Sequence, residues 1–289
     1  MPDADPPLDG IDAMSGIDTE SPFGTHRASP FDRAVWASAD WRPLPASLRR
    51  RLRKRFARPR AGPFDVTFDG VRWRLYPAEN QCDRIVFGRR DWPEPAEHAA
   101  LPPHLSPGMT YVDIGANVGS YALFVGTRTR AMGAAPRILT FEPHPRTRAK
   151  LATNLALNDL TADILPFALG EANDTMTLWS DGGSNIGHTS LIPEATANPA
   201  RGVAVKVRRL PDILAERGVT TIDLLKIDIE GFEDRALGPL LDSSEALWPK
   251  TILLETAHRA FWQRDLTAML AERGYRGVFA TRENTIVTR

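Results

Sequence analysis

Three charged residues stand at the end of a predicted strand in the C-terminal half of the chain. Residues 221–231, TIDLLKIDIEG, form an apolar run with an acidic end, which predicts a buried strand. In an extended segment Lys226, Asp228 and Glu230 point to one side, because alternate side chains share a face. Charges on an apolar strand are costly to bury, and charged groups in a cleft mark functional sites. A salt-bridge cluster that caps the sheet is the alternative interpretation.

A second pair of titratable residues follows the next predicted strand, 250–256. Glu255 lies at the end of that strand, and His258 stands three residues later. A neutral histidine can accept a proton from a hydroxyl group, which makes His258 a candidate general base. A partly buried histidine bonded to Glu255 explains the same spacing.

A glycine-containing turn follows the predicted strand 109–115. Gly115 and Gly119 bracket this turn, and Asp113 and Asn117 are its polar residues. Glycine lets the backbone approach a ligand closely, and a helix N-terminus offers free N–H donors. Asn117 replaces the second glycine of the dinucleotide fingerprint, and a carboxylate at the mouth suits a cation better than a pyrophosphate. We therefore infer S-adenosylmethionine as the ligand, with an ordinary strand-to-helix turn as the alternative.

Two further strand ends complete the predicted cofactor site. Glu142 ends the strand 137–143, where an acid accepts hydrogen bonds from both hydroxyls of a ribose. It equally suits the positive end of the next helix. At the end of 162–170, small residues such as Ala168 suit an adenine packed edge-on, and Asp163 is a candidate partner of the purine amine. Plain core packing is the alternative for this third strand.

The elements that must position these residues are alternating strands and helices. From residue 109 onward, short apolar runs are separated by segments with helical periodicity, and residues 275–281 and 284–289 read as a hairpin. This alternation predicts an α/β fold with a mostly parallel sheet and an antiparallel C-terminal hairpin. In such sheets ligands bind at the carboxyl ends of the strands, where the candidate residues stand.

Composition excludes several classes of protein. The chain has 289 residues, with 36 Lys plus Arg against 36 Asp plus Glu, which argues against a dedicated nucleic-acid binder. No apolar run is long enough for a membrane-spanning helix, and no secretory signal is visible. Cys82 is the only cysteine, which excludes internal disulfides and multi-cysteine zinc sites and favours a cytoplasmic setting.

The chain divides into three predicted regions. Residues 1–40 are acidic and proline-rich at their start and are expected to be disordered. Residues 41–108 hold a basic helix, a β-hairpin around Asp69 and Gly70, and a proline-rich linker. Residues 109–289 form the predicted catalytic domain.

The basic helix has two interpretations. Residues 41–60 contain nine basic residues and no acid, and Leu48, Leu52 and Phe56 recur every four residues. Residues 48–60 either contact anionic lipid, phosphate or an acidic partner, or form a solvated helix whose apolar residues dock on the main domain. The oligomeric state has no readable pattern in the sequence.

These motifs, in this order, resemble the FkbM family of S-adenosylmethionine-dependent methyltransferases. The resemblance covers roughly residues 80–289 and rests on VDIGANVGSYAL (112–123), FEPHP (141–145), NLALN (154–158), ALG (168–170), DGGSNIGHTSL (181–191) and KIDIEGFEDRAL (226–237). One departure is RLPDIL (209–214), where the family more often has a Leu-Asp-Asp run. That departure bears on the acceptor side of the site rather than on the cofactor side.

The resemblance implies a Rossmann-like class I methyltransferase fold with a mostly parallel seven-stranded sheet, preceded here by an N-terminal extension. It implies O-methylation of a hydroxyl on a sugar, glycan or polyketide-like small molecule. Five residues would hold the cofactor: Asp113, Gly115, Asn117, Gly119 and Glu142. Asp228 and Glu230 would lie beside the transferred methyl group.

Several mechanistic alternatives remain open on the sequence alone. An alcohol is a poor nucleophile at neutral pH, so a general base is expected, and Asp228, Glu230 and His258 are the candidates. The main hypothesis contains no metal; in a rival, Asp228, Glu230 and Glu255 hold Mg²⁺. A non-catalytic nucleoside-binding scaffold is the alternative outside the enzymes. A nucleic-acid methyltransferase is disfavoured, because the Asn/Asp-Pro-Pro-aromatic loop is absent from the sequence.

Overall fold

The N-terminal part of the chain combines short helices with one β-hairpin. The structure is a computed structural model that describes residues 16–41, 43–57, 59–181, 185–196 and 199–289. Its first elements are α1 (Pro30–Ala39), α2 (Ala46–Leu52), β1 (Phe64–Phe68), β2 (Val71–Leu75), α3 (Gln81–Arg89) and α4 (Pro95–Ala100). A π-helical turn, Arg53–Ala57, continues α2.

From residue 110 onward, strands and helices alternate as the periodicity predicts. The elements are β3 (Thr110–Ile114), α5 (Ser120–Ala131), β4 (Arg137–Phe141), α6 (Pro145–Leu157), β5 (Asp163–Leu165), β6 (Ala168–Leu169), β7 (Asp174–Asp181), β8 (Thr189–Ser190), β9 (Pro199–Arg208), α7 (Leu210–Glu216), β10 (Leu224–Ile227), α8 (Glu233–Leu241), β11 (Thr251–Glu255), α9 (Leu266–Glu272), β12 (Arg276–Ala280) and β13 (Asn284–Thr288).

A seven-stranded sheet forms the centre of this region, in the order β12-β13-β11-β10-β3-β4-β5. The strands β11, β10, β3, β4 and β5 run parallel to one another. Strand β13 pairs antiparallel with both β11 and β12. The predicted α/β class, with a mostly parallel sheet and an antiparallel C-terminal hairpin, is confirmed. The strand order reverses direction between β3 and β10, which is where such sheets bind ligands.

The central strands are mostly apolar because both faces of the sheet are covered. Every residue of β10 and β11 is buried, as expected of parallel strands between two helical layers. On one face the core includes residues of α7, α8 and α9. On the other, residues of α5 share a core with the hairpin β1-β2 and with α1 and α3. The N-terminal elements therefore pack on the sheet domain as part of its hydrophobic core.

The expectation of disorder over residues 1–40 is wrong for helix α1. Ser29 and Asp32 form a capping box at its start, which satisfies backbone donors of the first turn. Trp36 is only 1% exposed, and its ring N–H donates to the backbone oxygen of Arg60 at 2.9 Å. One buried tryptophan outweighs the polar composition of this segment. Residues 1–15, which carry four of the eight acidic residues of this segment, lie outside the described residues.

The predicted strand 162–170 is two strands that belong to different sheets. Pro166 separates β5 from β6, since proline cannot donate to a strand ladder. β5 is the edge of the main sheet, whereas β6 joins a four-stranded sheet in the order β6-β9-β7-β8. This second sheet stands next to the carboxyl end of the main sheet and supplies part of the cavity described below.

The basic helix docks on the domain less completely than its apolar spacing predicts. Leu52 packs against the core, but Leu48 and Phe56 are 40% and 51% exposed. Arg53 lies 3.4 Å from the buried carboxylate of Asp40. The docking interpretation therefore holds at one of the three apolar positions. Among the described residues, no helix has both the length and the apolar character that a membrane crossing requires.

Candidate functional site

A cavity of about 330 Å³ opens at the carboxyl ends of β3, β4, β10 and β11. Its wall includes Gly115 after β3, Glu142 after β4, Asp228 after β10 and Glu255 at the end of β11. The second sheet contributes Ala168 and Leu178. The structure thus brings most of the predicted site residues into one cavity at the switch point of the sheet.

The turn after β3 requires glycine at two positions. Gly115 has φ of 74°, and an added Cβ would lie 2.0 Å from the backbone oxygen of Asp228. Gly119 has φ of 95°, and its Cβ would lie 2.7 Å from Leu151. Asn117 also has a positive φ, 51°. Gly115 and Asn117 line the cavity, whereas Gly119 caps α5 behind it. The turn and the strand end at Asp228 are therefore in direct contact.

Asp113 does not stand at the cavity mouth, and this expectation is wrong. Its side chain is fully buried and is not part of the cavity wall. Asp113 is the register partner of Lys226 on β10, and Lys226 Nζ lies 3.8 Å from its Oδ1. Asp113 precedes the end of β3, so its side chain enters the core beneath the turn. Burial raises the pKa of Asp113, and Lys226 opposes that rise.

Lys226 connects the strand end to the glycine turn. Its Nζ donates to the backbone oxygen of Gly115 at 2.7 Å and lies 3.8 Å from Asp228 Oδ2. Burial by itself would lower the pKa of Lys226, but Asp228, Asp113 and Glu94 outweigh it and raise the pKa. The ammonium group is therefore a fixed positive charge between the turn and the candidate base.

Glu142 is held rigidly beside the turn. Its Oε2 accepts a hydrogen bond from the backbone N–H of Asn117, and its Oε1 accepts one from His144, both at 2.9 Å. The residue is 5% exposed and lines the cavity. Burial raises the pKa of Glu142 to about 7, against the effect of these two N–H groups. A carboxylate has about four acceptor positions, so Glu142 retains capacity for further donors from the cavity.

Of the two residues predicted at the third strand, only one lines the cavity. Ala168 lines the cavity together with Phe167 and Leu169, which form a small apolar wall. Asp163 is not brought to the cavity; it begins β5, and its nearest cation is Arg217 at 3.9 Å. The expected role of Asp163 fails because the amino end of a parallel strand faces away from the ligand edge. Ala168 belongs to β6 instead, beyond the break at Pro166.

Several acid–base groups meet on the wall of the cavity. His258 Nδ1 lies 3.0 Å from Glu230 Oε2 and 3.0 Å from Glu255 Oε1. His188 Nε2 lies 3.2 Å from the same oxygen of Glu230. Asp228 also lines the cavity. Burial raises the pKa of Asp228 to about 8; Lys226 opposes the rise and Glu230 adds to it.

The backbone after β10 explains how Glu230 reaches the two histidines. The strand ends at Ile227, so the alternation expected for Lys226, Asp228 and Glu230 stops there. Glu230 has φ of 57° and Gly231 has φ of 100°, which turns the chain sharply. Buried Glu233 stabilises the turn by accepting hydrogen bonds from the N–H groups of Ile229 and Gly231. All four predicted catalytic residues nevertheless line the same cavity.

Some residues of the cavity were not found from the sequence. Glu94 lines the cavity and accepts a hydrogen bond from Tyr121 at 2.5 Å. Asn80, which is not on the cavity wall, donates to the wall residue Asn117 at Oδ1 over 2.7 Å. Glu94 lies in the stretch 91–108, whose only pattern is its proline content. His188 falls within the quoted Gly/Ser stretch, where a histidine flanked by small residues was the available signal.

Comparison with known proteins places the chain among methyltransferases. A family model described as "Methyltransferase FkbM domain" matches residues 113–276. "Methyltransferase sdnD" of Sordaria araneosa is 30% identical over 194 residues, which cover 57% of this chain and 72% of that protein. "31-O-demethyl-FK506 methyltransferase FkbM" of Streptomyces tacrolimicus is 27% identical, with 50% of this chain and 64% of that protein covered.

Among solved structures, tRNA (uracil-54, C5)-methyltransferase from Pyrococcus abyssi, in complex with S-adenosyl-L-homocysteine, aligns with 78% of this chain and 43% of that one. The identity is 12% and the TM-score is 0.42, so this likeness carries no functional argument. The family match, the strand order and the glycine turn beside Glu142 agree with one another. The chain belongs to the FkbM family of methyltransferases and is an S-adenosylmethionine-dependent enzyme.

Proposed function

We propose that this enzyme methylates a hydroxyl group of a small molecule, with sugars, glycans and polyketide-like compounds as the acceptor class. The observation that carries the proposal is the position of Asp228. Its carboxyl group lines the cavity while its backbone oxygen packs against Gly115 of the cofactor turn. A proton acceptor therefore stands next to the turn that holds the methyl donor. The Streptomyces relative is named for a reaction at an oxygen atom, which agrees with this proposal.

The cofactor half of the cavity suits an adenosyl group. Glu142 offers carboxylate oxygens to the two ribose hydroxyls, and the wall at Ala168 offers an apolar surface to the adenine. Gly115 lets the backbone approach the donor closely. When bound, S-adenosylmethionine supplies an already activated methyl group. The protein must therefore chiefly align the acceptor and remove its proton.

Asp228 is the proposed general base. Its raised pKa makes the ionised carboxylate a stronger proton acceptor than an ordinary aspartate. Lys226, 3.8 Å away, favours the ionised form and is itself fixed by Gly115. The proton of the acceptor hydroxyl would pass to a carboxylate oxygen of Asp228. Lys226 is thus a positioning residue that joins the base to the cofactor turn.

The test is methyl transfer from labelled S-adenosylmethionine to a panel of candidate acceptors. The purified chain is incubated with sugars, glycans and polyketide-like alcohols, and the products are analysed by mass spectrometry and NMR. The proposal predicts label on an oxygen atom of at least one hydroxyl compound. Label found on nitrogen, carbon or sulfur, or only on nucleic acid, would contradict it.

A further inference from the structure

We propose that His188, Glu230 and His258 bind a divalent transition-metal ion that holds the acceptor by two neighbouring oxygen atoms. The inference deepens the proposed function and rests on it for the identity of the acceptor. The three side chains each offer one ligand atom, and these atoms lie within 4.8 Å of one another. They come from three separate segments, before β8, after β10 and after β11.

The three ligands face the cavity. His188, Glu230 and His258 all line it, and their side chains are 26%, 18% and 28% exposed. The backbone of Glu230 is fixed by Ser190, whose hydroxyl donates to its carbonyl oxygen at 2.8 Å. A bound ion would therefore remain accessible to an acceptor in the same cavity.

The donor set selects the kind of metal. Two imidazoles with one carboxylate suit ions such as Mn²⁺, Fe²⁺, Co²⁺ or Zn²⁺, whereas Mg²⁺ prefers oxygen ligands. Three protein ligands leave coordination positions open, as in catalytic rather than structural sites. The oxygen-only set of Asp228, Glu230 and Glu255, considered from the sequence, is thereby replaced by one that contains two histidines.

Glu255 lies beside the three proposed ligands. It is 5% exposed, lines the cavity, and one of its oxygens contacts His258 Nδ1 at 3.0 Å. Its other oxygen is buried and meets no hydrogen-bond donor among the described residues. Asp228 and Glu233 are near it but are acids themselves. A cation beside His258 would attract this carboxyl group. Because Glu255 Oε1 and Glu230 Oε2 both face His258 Nδ1, Glu255 would act as a further ligand.

The metal would define the acceptor more narrowly than a hydroxyl alone. Two open positions suit a vicinal diol or a hydroxyl beside a carbonyl group. Coordination lowers the pKa of the bound hydroxyl, and its proton passes to Asp228. The acceptor oxygen then forms the new O–C bond, while the methyl–sulfur bond of the donor breaks and its electron pair stays on sulfur. No oxidant or reductant is required.

Metal binding can be measured without an acceptor. The full chain is stripped with a chelator and titrated with Co²⁺, Mn²⁺ and Mg²⁺ by calorimetry, and Co²⁺ binding is also followed by its visible absorption. We expect one equivalent of Co²⁺ or Mn²⁺ and much weaker binding of Mg²⁺. His188→Gln and His258→Gln should each weaken Co²⁺ binding at least about tenfold. His104→Gln, a histidine outside the cavity wall, should leave it unchanged.

Folding and function are separated by two further measurements. Circular dichroism and S-adenosylmethionine titration of the variants show whether the fold and the cofactor turn are intact. Absence of saturable Co²⁺ and Mn²⁺ binding by the unaltered chain would overturn the proposal. It would also be overturned if His188→Gln and His258→Gln were folded and bound Co²⁺ as tightly as the unaltered chain. Hydroxyl methylation that persists in excess chelator would refute the metal but leave O-methylation standing. Metal binding without any methylated hydroxyl product would support the metal site and contradict O-methylation.

Discussion

At the scale of single residues, burial decides which carboxyl groups can do chemistry. Asp113 and Asp228 are both near Lys226, yet Asp113 is fully buried in the core and Asp228 lines the cavity. The sequence marks both as acids at strand ends. It cannot show that Asp113 lies one layer beneath the turn, because that depends on where the strand ends and which face is covered.

The histidine cluster shows a different limit at this scale. Glu230 and His258 could be predicted as functional because they follow strands that end at the same edge. His188 could not, because it lies in a loop between β7 and β8 that has no periodic pattern. Its proximity to Glu230 depends on how the second sheet packs beside the first, which is a tertiary contact between residues far apart in sequence.

Glu142 supports a prediction about cofactor binding. Glu142→Gln keeps the size of the side chain but removes a charged acceptor for ribose hydroxyls. We expect the affinity for S-adenosylmethionine to fall by about tenfold or more, the value of one charge-assisted hydrogen bond. Isothermal titration calorimetry gives the affinity directly. Asp163→Asn is the matched control and should bind S-adenosylmethionine as tightly as the unaltered chain. If Glu142→Gln also bound it as tightly as the unaltered chain, Glu142 would not be the ribose ligand.

At the scale of elements, the strand ends were predictable and the breaks were not. The α/β alternation placed β3, β4, β10 and β11 correctly, and their carboxyl ends form the cavity. The run 162–170 was predicted as one strand, but Pro166 divides it into β5 and β6. Asp163 stands at the amino end of the predicted strand and also at the amino end of β5. The expectation for Asp163 is wrong because the amino end of a parallel strand faces away from the ligand edge, whether or not the strand is divided.

The glycine turn gives a prediction at the same scale. In Gly115→Ala the new Cβ would stand 2.0 Å from the Asp228 oxygen, in addition to adopting a φ of 74°. Gly218→Ala is the matched control, because its φ is 60° and its Cβ meets nothing within 4 Å. We expect about 1–2 kcal/mol of destabilisation for the control. Gly115→Ala should lose more stability, as measured by urea unfolding, and should lose S-adenosylmethionine binding. Equal losses in the two variants would show that the turn is not tightly packed.

At the scale of the whole molecule, the N-terminal segment belongs to the folded core. The acidic composition of the first 40 residues predicted disorder, yet α1 packs against the sheet domain through Trp36. Composition averages over a segment, whereas a buried aromatic side chain and a capped helix are individual contacts that an average does not contain. The hairpin β1-β2 and α3 complete this layer, and α3 carries residues that line the cavity.

Trp36 tests this integration. Trp36→Ala should lower the free energy of unfolding by about 3–5 kcal/mol, because a large buried side chain is removed. Phe31→Ala, on the same helix at a side chain that is 61% exposed, should cost less than about 1 kcal/mol. Urea unfolding of both variants, followed by the backbone signal in far-ultraviolet circular dichroism, gives the two free energies of unfolding. Similar small effects would mean that α1 is not part of the cooperative unit.

The most direct test of the account is the turnover of Asp228→Asn with an identified hydroxyl acceptor. We predict a loss of about 10²- to 10⁴-fold in kcat. The affinity for S-adenosylmethionine should stay within about twofold of that of the unaltered chain. The control variant Asp163→Asn should change neither quantity. Burial raises the pKa of Asp228 to about 8, and a protonated carboxyl group cannot accept a proton. The unaltered enzyme should therefore become faster as pH rises through this value. Unchanged turnover in Asp228→Asn, with the same pH profile, would contradict the account.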